Sequence, residues 1–161
     1  ADVAVMTGTN FSSWYNQTEG TVYAEFDASA TAGSDRRIFL AQSAAGFSTD
    51  SNILFISNNA QKQASENSFV AGANIGRIDS TASFIANTSS KAVCSYKLND
   101  RAITSSGNNP VLSSVSFIPP TLTNAAIGSD GIGAGYINGH IKRITYYNKR
   151  LTNQQLQYLT R

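Results

Sequence analysis

The stretch Tyr136-Ile137-Asn138-Gly139-His140-Ile141-Lys142-Arg143-Ile144-Thr145-Tyr146-Tyr147-Asn148-Lys149-Arg150-Leu151-Thr152 decides how the chain folds. Gly139 to Tyr147 is rich in β-branched and aromatic residues and predicts a long strand. Ile141, Ile144 and Tyr146 do not share one parity, so either both faces are covered or a bulge intervenes near Lys142-Arg143. Two covered faces, as in a central strand, are the preferred reading. Tyr146 and Tyr147 point to opposite faces, and at least one belongs to the core. Beyond the strand, Thr152 and Gln155 have the spacing of a capping box, and Leu151 and Leu156 suit a hydrophobic staple. They predict one short helix that docks Leu156 and Leu159 onto a sheet.

Upstream, segments of β-type composition recur between turn signals. They are Thr21 to Asp27, Arg37 to Ala41, Asn52 to Ser57, Ser68 to Ile75, Thr81 to Ala86, Ala92 to Leu98 and Val111 to Ile118, the last stopped by Pro119-Pro120. Gly33, Gly46, Asn58-Asn59, Ser89-Ser90 and Asn99-Asp100 punctuate them. Ala126-Ile127-Gly128 precedes the glycine-rich run Gly131 to Gly135, which leads into a strand rather than a helix and so is a loop, not a phosphate cradle. Many short strands and one terminal helix are the pattern of a sandwich.

Composition agrees. The 161 residues suffice for one core, so residues 1–161 read as a single domain. Charged residues are 14% of the chain, well below the ~25% of ordinary soluble proteins. Ser, Thr and Asn supply 50 of the 161 residues, which favours turns and strands over helical bundles. Eight Phe and seven Tyr supply enough apolar surface to argue against disorder. No apolar run approaches the ~18 residues of a membrane span. A net charge of +2 on so sparse a charge set describes no nucleic-acid-binding face. Cys94 is the lone cysteine and His140 the lone histidine, which excludes an intrachain disulfide and a cysteine-based zinc cluster. The start Ala1-Asp2-Val3 shows no leader and is expected of a processed chain or of one module of a longer protein.

Two regions carry the resemblance to a known family. Ile127-Gly128-Ser129-Asp130 followed by Tyr136 to Thr152 resembles the closing motif of concanavalin A-like, laminin-G-like jelly rolls: "I-G", a loop, an aromatic, "N-G-x-I", a strand ending in aromatics, "R-x-L-T", then a short helix. Phe11 to Tyr23, with Trp14-Tyr15 at its centre, is similar to the opening of the version found in bacteriophage tail-fibre, tailspike and other virion proteins. Ala92 to Arg101 resembles the family's middle strand and its Lys-x-Asn-Asp turn. The resemblance implies an all-β, two-sheet antiparallel jelly-roll sandwich with a short C-terminal helix. It also implies a non-catalytic module that binds bacterial surface polysaccharide or another glycan on the virion, as part of a homotrimeric fibre.

Sugar binding needs flat apolar ring faces beside planar polar groups. Tyr23, Tyr96 and Tyr136 qualify, with Glu25, Asp27 and Arg37 as polar partners; Trp14 and Tyr15 are either ligand aromatics or packing beneath a sheet. Glu25 and Asp27, two apart on a strand, project to one face about 7 Å apart, the pairing that glycoside hydrolysis uses. The third carboxylate of related sandwich glucanases is missing, since Ser29 and Ala30 follow. The basic pairs Arg36-Arg37, Lys142-Arg143 and Lys149-Arg150 meet an acidic polysaccharide only if the fold gathers them. Asp35, Asp130 and Asn138 are the oxygens a calcium ion would use, but no recognisable metal motif surrounds them, and no cofactor is expected. Besides the lectin-like reading stand two others: a structural knob that trimerises or decorates a particle, and a glycan hydrolase built on Glu25 and Asp27.

Overall fold

A computed structural model of the chain describes residues 4–29, 35–43, 49–56 and 62–161. The expected turns at Gly33, Gly46 and Asn58-Asn59 lie outside the described residues. In chain order the elements are β1 (Ala4–Thr7), α1 (Thr9–Ser12), β2 (Glu19–Ala28), β3 (Arg36–Gln42), β4 (Ser51–Ile56), β5 (Gln63–Val70), β6 (Ala73–Ser83), β7 (Ser90–Lys97), β8 (Asp100–Ser105), β9 (Val111–Leu112), β10 (Asn124–Ile127), β11 (Gly139–Tyr147) and α2 (Asn153–Leu159). They form a six-stranded sheet, β1-β10-β3-β4-β5-β6, and a five-stranded sheet, β11-β2-β7-β8-β9. Every pairing is antiparallel, so the chain is an all-β two-sheet sandwich with a short C-terminal helix.

The core follows from strand alternation. Val22, Ala24, Phe26 and Ala28 of β2 turn inward and meet Phe39 and Ala41 of β3, Leu54 of β4, and Ile103 of β8. The intervening Thr21, Tyr23, Glu25 and Asp27 point to the opposite face of their sheet. On that outer face a smaller cluster forms where Leu151 and Leu156 cover Tyr23, Val93 and Ala102. Thr152 caps α2 as the spacing predicts: its hydroxyl accepts from the Gln155 amide, and the Gln155 side chain accepts from the Thr152 amide.

Four expectations need correction. Gly139 to Tyr147 is an edge strand, and the parity break is a bulge between Ile141 and Arg143. The bulge returns Ile141, Ile144 and Tyr146 to the inner face opposite Phe26, Ala24 and Val22, so no second covering layer is required. Ser68 to Ile75 is not one strand but the hairpin joining β5 to β6, turning at Ala71 and Gly72, both with positive φ, and Thr81 to Ala86 is no separate strand, since its first three residues end β6 at Ser83. Val111 to Ile118 is strand only at its first two residues. Beyond them the chain folds back on the β7–β8 turn, where Asn99 Oδ1 accepts from the Phe117 amide at 2.9 Å and Phe117 is buried.

The conspicuous motifs are structural. Trp14 donates to the Asn10 carbonyl at 2.7 Å and packs edge-on against Phe11, Tyr15 and Tyr146, so the alternative of packing beneath a sheet holds. Asn138 adopts a left-handed φ of 50°, and a side chain on Gly139 would overlap the main-chain oxygen of Asp27. The Asn-Gly pair is what lets β11 enter flush against the end of β2.

Candidate functional site

The expected site residues divide between the two outer faces of the sandwich. Tyr23, Glu25 and Asp27 lie together on the outer face of the five-stranded sheet, whereas Arg37 lies on the six-stranded sheet and Tyr136 in the loop beside it. Tyr96 is inside. Its ring stacks on Tyr15 at 5.9 Å, and its hydroxyl donates to the Asn16 carbonyl at 2.6 Å and meets the Tyr146 hydroxyl at 2.9 Å. With only 4% of its surface exposed it has no face for a sugar and leaves the set. Tyr23 is 6% exposed beneath α2, so its ring is a floor rather than a platform.

Asp27 is tied to β11. His140 Nδ1 lies 3.0 Å from Asp27 Oδ1, the His140 amide donates to the same oxygen at 3.2 Å, and Lys142 Nζ is 3.9 Å from Oδ2. The side-chain bond from His140, aided by its amide and by the nearby cationic groups, outweighs partial burial and holds the Asp27 carboxyl below its usual range. A general acid for glycoside cleavage needs the reverse shift. Glu25 accepts from the Ser89 hydroxyl at 3.1 Å.

On the six-stranded sheet the polar residues of the outer face gather at its β5–β6 end. Leu54, Glu66 and Ile78 mark its inner face, so by register Arg37 of β3, Phe55 of β4, Ser65 of β5 and Asp79 of β6 stand in one outer row, with Ile53, Asn67 and Arg77 in the next; Ser65 is fully buried there. Three strand spacings separate Arg37 from Asp79, about 14 Å. Arg77 holds Asp79 in a two-pronged pair, Nε to Oδ1 at 2.6 Å and Nη2 to Oδ2 at 3.1 Å, and Ser65 donates to Asp79 Oδ1. Both members of the pair stay about one-third exposed, 29% and 33%. Asn67 Oδ1 is shielded from water and has no hydrogen-bond partner among the described residues, a position that typically costs about 1–3 kcal/mol.

The glycine-rich loop rims this face. Asp130 Oδ1 accepts from the amides of Ile132 and Ala134, which fixes the loop, and a side chain at Gly131 would crowd Gln42 Nε2 at 3.1 Å. At Gly135 a side chain would overlap the Arg37 guanidinium, so this glycine lets Arg37 sit under the loop. Tyr136 is half-buried and lines a groove of about 550 Å³ with Arg36, Ile137 and Asn138. Sequence reasoning missed Ser65, Asn67, Arg77 and Asp79. The alternation Ser65, Asn67 and Arg77, Asp79 is the available signal, and a strand placed over Ser68 to Ile75 leaves both pairs outside it.

Of the residues named for calcium, Asp130 accepts from loop amides, and the Asn138 side-chain amide nitrogen donates to the Ser29 hydroxyl at 2.7 Å. Among the described residues no group of three His, Cys, Asp or Glu side chains gathers to hold a metal. The basic pairs do not converge: Arg37 and Arg143 lie in different sheets, and Arg150 is bound to Asp100 at 2.9 Å.

No protein-family model matches the sequence, and no curated protein sequence matches it. Solved structures do match in fold. The CBM40 domain of the Ruminococcus gnavus IT-sialidase, solved bound to α2,3-sialyllactose, superposes with a TM-score of 0.73 at 13% identity, over 90% of this chain and 83% of that one. A leech intramolecular trans-sialidase gives 0.71 at 18% identity, over 90% of this chain and 23% of that one. The NanB sialidase from Streptococcus pneumoniae gives 0.75 at 17% identity, over 96% of this chain and 26% of that one. The chain thus spans most of a separate carbohydrate-binding domain and about a quarter of the sialidases. At these identities the likeness is one of fold: the chain has the lectin-like jelly-roll sandwich found in sialidase carbohydrate-binding domains.

Proposed function

We propose that the chain is a non-catalytic carbohydrate-binding module that takes an acidic glycan on the outer face of its six-stranded sheet. The observation that carries this reading is the Arg77–Asp79 pair, about one-third exposed on the outer face of β6, with Arg37 further along the Asp79 row. Guanidinium groups suit a sugar carboxylate, and an exposed carboxylate suits sugar hydroxyls. The sialyllactose bound to the Ruminococcus gnavus domain supports an acidic sugar as ligand.

The parent protein is inferred from the motifs. The opening and closing stretches resemble those of phage fibre and tailspike domains, which supports a virion-surface module, homotrimeric in its fibre, that gains avidity for bacterial polysaccharide from several copies. A module attached to a sialidase-like enzyme is the second reading, favoured by the sialidase folds that match.

A glycan array carrying sialylated, uronate-containing and neutral glycans tests the ligand class. Retention of carboxylated glycans, lost roughly tenfold or more in Arg77→Ala, is expected, since a charge-assisted bond contributes about 1.5–3 kcal/mol. No retention of any glycan on multivalent display sinks the reading in favour of the structural knob. Reducing-end release that disappears in Glu25→Gln would overturn the non-catalytic assignment.

A further inference from the structure

On the opposite side of the sandwich, β11 and α2 enclose a groove of about 400 Å³, within the range of ligand pockets. Its walls are Tyr147 of β11 and Tyr158 of α2, its floor is Tyr23, and its open end carries Lys91, Arg143 and Thr145. Tyr158 is 72% exposed, so its ring stands largely open to solvent at the edge of the groove. A second, mainly apolar depression lies across the same Tyr147–Tyr158 ridge, against Leu151 and Gln154.

The groove lining is basic, with Lys91, Arg143 and Arg161. Arg143, Glu25 and Lys91 stand in one row across β11, β2 and β7. Glu25 is occupied by Ser89, and Lys91 Nζ donates to the Arg161 carbonyl at 2.5 Å. Arg143 makes no hydrogen bond or ion pair among the described residues, yet its charge and that of Glu25 both act on the Tyr23 hydroxyl. An exposed guanidinium beside two tyrosine rings lacks only a planar anion with an apolar face.

We propose that this groove is a second glycan subsite, in which Arg143 binds the carboxylate of an acidic sugar and Tyr147 and Tyr158 take its ring. The proposal rests on the glycan-binding reading above and places the two subsites back to back, so that one domain bridges two glycan chains. Lys91, Thr145 and Glu25 then meet the sugar hydroxyls, and the depression beyond the ridge takes an apolar substituent.

Amide NMR titration of the whole chain with 3′-sialyllactose, lactose and inorganic phosphate tests it. The amides of Thr145, Tyr147, Tyr158 and Leu159 are expected to shift with sialyllactose, at least tenfold more tightly than with lactose or phosphate. That response should persist in Arg77→Ala and weaken at least tenfold in Arg143→Ala or Tyr158→Ala, two exposed positions whose loss leaves the core intact. Shifts confined to the six-stranded face overturn the second subsite and leave the main reading standing. Equal response to lactose overturns the carboxylate role of Arg143, and equal response to phosphate reduces the groove to an anion site. Silence on both faces removes the glycan reading together with this one.

Discussion

Arg101 Nη1 lies 2.9 Å from Glu66 Oε2 between the two sheets, with both side chains at most 3% exposed. Arg101 also donates to the Gly76 carbonyl at 3.0 Å and the Ser113 hydroxyl at 3.1 Å, and sits 5.1 Å from the centre of the Phe117 ring. Ser68 donates to Glu66 Oε1 at 2.5 Å. Desolvation pushes the Glu66 carboxyl above its ordinary value, against the opposing pull of the Arg101 charge. The pair joins β5 to β8 across the sandwich, and β5 lies beside the β6 strand that carries the proposed sugar-binding pair.

Removing one member of such a pair is expected to cost about 3–5 kcal/mol, because the other charge is left buried. Arg101→Met should show this loss fully at pH 8 and less of it at pH 4, since an unpaired Glu66 can take up a proton. The sign follows from the raised folded value: the folded state binds the proton more tightly, so the Glu66 contribution is most favourable below the unfolded value and declines as pH rises through the folded one. Glu66→Gln leaves Arg101 charged at every pH, and its loss should not vary with pH in this way. Urea melts at several pH values decide; a loss for Arg101→Met that is the same at pH 4 and pH 8 contradicts the argument.

Gly139→Ala and Gly20→Ala should both destabilise, for different reasons. At Gly139 the added methyl meets the Asp27 main chain, which cannot yield without parting β11 from β2. At Gly20 it lies 2.6 Å from the Tyr146 hydroxyl and 2.7 Å from the Tyr96 ring, so the buried hydroxyl pair must break or shift. Each is expected to cost about 1–3 kcal/mol. Gly76, where an added methyl meets nothing within 4 Å but φ is +101°, serves as the strain-only control. Thermal melts of the three variants separate overlap from strain, and a Gly139→Ala melt no lower than that of Gly76→Ala would count against the close-approach account.

The sandwich was legible because each sheet has an outer face beside a core face, which writes itself into alternation such as Val22, Ala24, Phe26 against Tyr23, Glu25, Asp27. The helix was legible from local chemistry alone, through Thr152 and Gln155. Strand position was not: a bulge in β11 mimics a strand covered on both sides, and only the pairing of Arg143 with Glu25 resolves the two. The polar group on the six-stranded sheet was hidden for a similar reason, since Ser65, Asn67, Arg77 and Asp79 become neighbours only once the hairpin at Ala71-Gly72 fixes their register. Tyr96 shows the converse, because a tyrosine whose hydroxyl is satisfied inside the core has the same one-letter code as one facing a sugar.

The Asp27 carboxyl should respond to loss of its partner. Its folded value is depressed, so its contribution to stability is present above the unfolded carboxylate range and is lost as pH falls through the folded value. His140→Ala removes the leading cause and should raise the Asp27 value toward that of an ordinary aspartate, and Lys142→Ala should raise it less. Carboxyl carbon NMR titration reads this directly. An unmoved Asp27 titration in His140→Ala would mean that the 3.0 Å contact does not persist in solution.

Helix α2 should come off the sheet in two graded steps. Thr152→Ala removes one side of the capping box and is expected to cost about 1 kcal/mol. Leu156→Ala empties a fully buried position among Tyr23, Val93 and Leu151 and is expected to cost about 2–5 kcal/mol. Because this cluster sits outside the main core, the losses should be partly local: hydrogen exchange should rise in Asn153–Leu159 before it rises in β2 or β7. The same local opening disperses the Tyr147–Tyr158 groove, so Leu156→Ala should weaken ligand shifts there while leaving those of Asn67 and Arg77 in place. Exchange that rises equally in α2 and in the strands would instead make the helix an integral part of one cooperative unit, and the two faces would then fail together.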